Sequence, residues 1–137
     1  MIHHPATVHI PLALAVLFPL FHIVLIAVVK WKLMPKQIWF MQWGLAAIQL
    51  VTCALAFITG RKDMTLSAAA PELLHRHQEL AIQFTIAWAV IAILLPVSYH
   101  VRGRTGSTVV QAALLILLVV QLVLAVRLGV VGGELVY

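Results

Sequence analysis

Acid is scarce in this chain: four carboxylates, Asp63, Glu72, Glu79 and Glu134, stand among 137 residues, against nine lysines and arginines. That excludes a carboxylate-bridged metal site. Cysteine is scarcer still. Cys53 is the only one, so an intrachain disulfide, a thiolate metal site and a CxxC redox pair are all excluded, and a lone cysteine in an apolar run reads as a small packing residue. A Gly-rich phosphate loop, a GxSxG elbow and a His-Glu-x-x-His pattern are missing too, which leaves hydrolase chemistry without machinery. Charged residues of either sign make up 9% of the chain and hydrophobic ones 64%, at a mean hydropathy of +1.08. Soluble domains do not have this composition, so most of the chain must have lipid as its solvent.

A spanning helix needs about 20 apolar residues. Breaking the sequence at its charged and Pro/Gly-rich segments gives four such runs, near 8–29, 37–58, 72–99 and 107–130. The runs are continuous rather than alternating, which excludes a closed barrel, and an open sheet cannot satisfy its backbone in hydrocarbon. Short connections favour antiparallel neighbours, so the expected fold is all-α, an up-down four-helix membrane bundle forming a single domain over 1–137. Pro11 and Pro19 lie inside the first run and predict a bend. That run has no basic segment before it and no small-residue cleavage pattern after it, and reads as a retained helix rather than a signal peptide. Lys30, Lys32 and Lys36 follow the first run and Arg102 and Arg104 the third, which places those loops in the cytoplasm and both termini outside. The expected location is a bacterial inner membrane.

The net charge of +5 and pI near 10.0 do not point to nucleic acid. The cations flank membrane segments instead of forming a stripe with interleaved aromatics, so anionic lipid headgroups are their expected partners. Trp31, Trp39 and Trp43 cluster at one boundary, where indole rings prefer to lie, whereas Trp88 is mid-span and reads as core or cofactor-lining. Gln42 and Gln49 share a face of the second helix and are expected to tie helices together. Gln83, Gln111 and Gln121 allow the same reading, or hydrogen bonds to a quinone or a ligating histidine. The methionines form no thioether repeat, against a copper relay.

Histidine remains, and its distribution is uneven. His3, His4, His9, His75 and His77 all fall on one side of the membrane once the chain is threaded. Helices one and three run in the same direction, so His9 is level with His77, and two imidazoles at one depth can hold a metal between them. His75 and His77 lie about 200° apart around a helix, so only one points inward. His77 is favoured because it heads the stripe His77, Ala81, Phe84, Trp88, Ile91. His9 has Ala13 one turn below it, as His77 has Ala81. Paired alanines leave space for a flat macrocycle, which suits a b-type haem held by two histidines in a helical bundle, although small residues also serve ordinary helix contacts. Arg127, near the end of the fourth run, is the candidate partner for haem propionates, or else a snorkelling cation or a partner of Glu134. His22 lies about 140° around the helix from His9 and reads as a solitary, hydrogen-bonded histidine. His100 reads as a surface residue.

The segments His4-Pro5-Ala6-Thr7-Val8-His9-Ile10-Pro11, Thr59-Gly60 at the close of helix two, and Gly132-Gly133-Glu134-Leu135-Val136-Tyr137 resemble the domain-of-unknown-function 2231 family of four-helix bacterial membrane proteins. The likeness covers nearly the whole chain. The opening and closing motifs are its most specific parts. Two departures are Ile10, where phenylalanine is usual, and the lack of the His-Gly segment that often follows the final tyrosine in relatives. The family looks akin to four-helix b-type cytochromes, some of which exchange electrons with quinones, so the resemblance implies haem b.

The leading expectation is thus a membrane-bound, b-type cytochrome-like electron-transfer protein, an electron carrier or redox-complex subunit more than a stand-alone enzyme. One haem would lie between His9 and His77 near the outer face, with Ala13, Ala81, Trp88 and Arg127 around it. His4 and His75 are the alternative ligands, and a redox protein or quinone is the partner. The rivals are a non-catalytic subunit of a larger membrane complex and a Cu or Zn protein using the same histidines.

Overall fold

A computed structural model describes residues 4–33, 35–64, 70–101 and 107–135. The described chain is almost entirely helical: α1 (His4–Lys30), a 3₁₀ turn (Lys36–Ile38), α2 (Trp39–Met64), α3 (Pro71–His100) and α4 (Ser107–Glu134). All four α-helices are long and apolar enough to cross a membrane, as the four runs predict. The expected ends are met closely for α3. By contrast α1 starts four residues before 8, α2 passes through Thr59 and Gly60 to Met64, and α4 reaches Glu134 rather than 130. In α2, the Thr59 hydroxyl donates to the carbonyls of Leu55 and Ala56. The threonine thereby folds its polar group back onto the helix instead of breaking it.

The helices pack in the ring order α1, α2, α3, α4, with α4 returning to α1. Pairwise contacts give the directions. Gln42 meets His22 and Gln49 meets Pro11, so α1 and α2 are antiparallel. Gln121 meets Phe84 and Gly132 meets His77, so α3 and α4 are antiparallel as well. Phe18 of α1 touches Trp88 of α3 across the bundle. The end where α1 begins and α4 finishes is called the upper end below.

The interior is written in the sequence at alternating spacings of three and four. Pro11, Ala15, Phe18, His22 and Leu25 of α1 are buried, as are Trp39, Gln42, Ala46, Gln49, Cys53 and Ala56 of α2. On α3 the buried series is Phe84, Trp88, Ile91, Leu95 and Ser98, and on α4 it is Leu114, Leu118, Gln121, Ala125 and Leu128. This is the a/d seam of a helical bundle. The positions between are exposed Val, Ile and Leu, such as Val24, Leu55, Ile93 and Val126. A face that is apolar where it is exposed is one whose solvent is hydrocarbon, so the chain is a multi-pass membrane protein in contact with lipid.

Between helices in lipid there is no hydrophobic gain from association, and packing and hydrogen bonds carry the stability. Trp88 is fully buried, with its ring centroid 4.7 Å from that of Phe18 in an edge-on contact. Three interhelical hydrogen bonds add to this: Gln42 Nε2 with His22 Nδ1 at 2.7 Å, Gln49 Nε2 to the Pro11 carbonyl at 2.9 Å and Gln121 Nε2 to the Phe84 carbonyl at 3.1 Å. Gln42→Ala should therefore destabilise the bundle by about 1–3 kcal/mol, because a buried polar partner is left unmatched, whereas Gln83→Ala, at an exposed position, should change little. Equilibrium unfolding in mixed micelles checks this, and equal effects of the two substitutions would contradict it.

The lower end of α1 closes in a Schellman turn. Leu33 N–H reaches the Val28 carbonyl at 2.9 Å and Lys32 N–H the Val29 carbonyl at 3.2 Å. Lys32 adopts the left-handed conformation that such a turn requires, with φ of 57°, at a position where glycine is usual. Lys32→Gly should accordingly raise stability by about 0.5–1 kcal/mol. No gain in the same unfolding assay would show that the lysine is held there by something that repays the strain.

Candidate functional site

The upper end is where the expected ligands gather. His77 lies nearly two turns below the start of α3 and is half-buried. Its ring packs against Gly132 of α4. A Cβ built on Gly132 would meet His77 Cε1 at 3.4 Å and Nδ1 at 3.8 Å. Gly129, one turn below on α4, faces Leu12 of α1, whose Cδ1 would lie 3.9 Å from its Cβ. Through these contacts α3 and α1 meet α4 near the two glycines. At Gly133 a Cβ would meet nothing within 4 Å.

His9 is three residues above Leu12 on α1, and Gly132 three residues above Gly129 on α4. Since Leu12 meets Gly129 and the helices are antiparallel, His9 is level with Gly132 and hence with His77. The equal depth expected from threading is present. The expected direction is not: His9 and Ala13 are exposed. The inward series of α1 runs through Pro11 and Ala15, and two residues turn a helix by about 200°, so His9 must point outward when Pro11 points in. The two imidazoles therefore share a level at the upper end but do not face each other through the core.

The other expected residues separate further. Ala81 is half-buried one turn below His77. Trp88 lies 11 residues from His77, about 16 Å along α3, and fills the middle of the core against Phe18. It does not line the rim. Arg127 is exposed, on the side of α4 opposite the buried Ala125, and forms no ion pair with Glu134 among the described residues. His75 is exposed, with Nδ1 3.4 Å from Glu79 one turn on. His4 begins α1, its side chain lies outside the described residues, and His3 lies outside them altogether. Among the described residues no group of three or more His, Cys, Asp or Glu is placed to hold a metal ion. The segment 136–137 of the closing motif is likewise outside the described residues.

The lower half holds the residues that spacing set aside. His22 is fully buried, hydrogen-bonded to Gln42 and edge-on to Trp39 at 5.6 Å between ring centroids. His100 is exposed, its Nδ1 2.9 Å from the Pro96 carbonyl of its own helix. What the sequence reading missed is the Gly129/Gly132 pair. Its signal was there, two glycines one turn apart on an otherwise bulky Leu/Val helix.

Comparison of the chain with family models, curated proteins and solved structures found no match. The likeness to the domain-of-unknown-function 2231 family therefore rests on the motif residues alone. Gly132 of the closing motif lies beside His77, level with His9 of the opening motif.

These residues fit a haem in donor type and shared depth but not in direction, since His9 points away from the interior. The place they fit is the rim of the upper end. The core below it is closed by Ala15, Cys53, Phe84 and Ala125.

The glycines themselves are testable. Gly133→Ala should stabilise the helix by about 0.5–1 kcal/mol, since the added methyl meets nothing. Gly132→Ala should gain less, and Gly132→Leu should lose stability as its side chain drives into His77. The order of the three midpoints in a thermal melt checks the packing, and Gly132→Leu matching Gly133→Ala would refute it.

Proposed function

We propose that the chain is a b-type cytochrome-like electron-transfer protein of the bacterial inner membrane, with its upper end in the periplasm and one haem held at that rim. The observation that supports this most is the histidine pair, His9 and His77, at one depth at the upper end of the bundle.

Bound haem supplies one-electron redox chemistry that no side chain of this protein offers. The protein's own residues do the rest. His77 presents a half-buried ring beside Gly132. His9, on an exposed face, is the accessible second ligand, and His4 and His75 stand nearby in sequence as substitutes. Ala13 and Ala81 keep the turn below each histidine small. Arg127 starts about 7.5 Å below Gly132 and can extend its guanidinium upward to the headgroup level, where propionates would lie. The exposed rim position suits exchange of single electrons with a redox protein or a membrane quinone. The lysines at the lower end, Lys30 and Lys32, are exposed and suit anionic headgroups of the cytoplasmic leaflet.

The test is a reduced-minus-oxidised visible spectrum of the purified protein expressed with ample haem supply, with pyridine haemochrome quantification. A sharp b-type α-band at about one haem per chain is expected, and it should be lost in His77→Ala and strongly diminished in His9→Ala. A featureless spectrum would overturn the reading. An unchanged haem content in both variants would overturn the ligand assignment.

A further inference from the structure

Independently of the rim, the core carries polar atoms that its packing leaves unmatched. Oε1 of Gln42, Gln49 and Gln121 and Nε1 of Trp88 are buried and make no hydrogen bond. Each of the four side chains is fully enclosed. Three of these atoms are acceptors and one is a donor. In a bundle surrounded by hydrocarbon none of them can turn to bulk water.

Their depths form a series. With α1 as the ruler, Gln49 sits at the level of Pro11, whose carbonyl it binds. Trp88 sits at the level of Phe18 and Gln42 at the level of His22. Gln121 binds the carbonyl of Phe84, one turn above Trp88, which corresponds to a level near residue 14. The four stations therefore fall on successive turns, each step about 4.5–6 Å along the bundle axis. Ala15, Ala46 and Ala125 are short side chains near these levels, where Phe18, Ile91, Leu114 and Leu118 are buried as well.

We infer that the bundle interior binds a file of water molecules, running from Gln49 through Gln121 and Trp88 to the Gln42–His22 pair. Water is the ligand that fits. It donates to an amide oxygen on one side and accepts from an indole N–H on the other, and it needs two to four polar partners, which successive stations supply. Larger polar ligands are excluded because every station is sealed from the surface. The Nε2 groups of the three glutamines are held by His22, Pro11 and Phe84, which leaves the amide oxygens without a protein partner. The file ends on the one imidazole in the lower core.

X-ray radiolytic footprinting of the full chain in nanodiscs tests this, because hydroxyl radicals form from water where it is bound. Trp88, which bulk solvent does not reach, should be oxidised to a yield comparable with that of the exposed Trp31. In the double variant Gln49→Leu/Gln121→Leu, Trp88 oxidation should fall roughly tenfold while Trp31 is unchanged. Trp88 left unmodified in the wild-type chain would overturn the inference, and that measurement does not depend on the variant folding. Trp88 oxidation that persists undiminished in the double variant would also overturn it, since the label would then come from opening of the bundle.

Discussion

Hydrocarbon offers no hydrogen-bond partner, and the rest of this structure follows from that. It forces the backbone into helices, it turns Val, Ile and Leu outward, and it drives the few polar side chains of the spans to one another. Gln42 binds His22, while Gln49 and Gln121 reach carbonyls of neighbouring helices. In water these glutamines would be unremarkable surface residues. In lipid they fix which helices adjoin and at what register, because a glutamine displaced by one turn faces an alkyl chain.

Much of the architecture was legible for the same reason. Four apolar runs separated by charge leave one economical fold, and the a/d spacing of Phe84, Trp88 and Ile91 marked the inner face of α3 correctly. Helix ends were less legible. Thr59-Gly60 reads as a stop, yet a threonine hydroxyl satisfied by its own helix and a glycine in mid-helix cost too little to end α2. His22 as a hydrogen-bonded core histidine was also within reach, since a lone imidazole in a span needs a partner.

The rim was legible in depth but not in rotation. Threading fixes the level of His9 and His77 from rise per residue alone. Direction depends on which neighbours claim the interior, and Pro11 and Ala15 claim it on α1, which turns His9 outward. The alanine below each histidine looked equivalent in sequence, but Ala13 is exposed and Ala81 half-buried. Gly129 and Gly132 could not be weighted without knowing that α1 and α3 press on α4 there. A glycine is informative only through the neighbour that needs its missing side chain.

The three interhelical side-chain hydrogen bonds described above all lie within sequence-adjacent hairpins, two between α1 and α2 and one between α3 and α4. Each hairpin therefore carries its own partners for the Nε2 groups of its buried amides. During synthesis the first pair of helices can leave the translocon and settle in the bilayer as a finished unit before the second has been made. The later docking of one hairpin on the other then brings Phe18 against Trp88 across the diagonal.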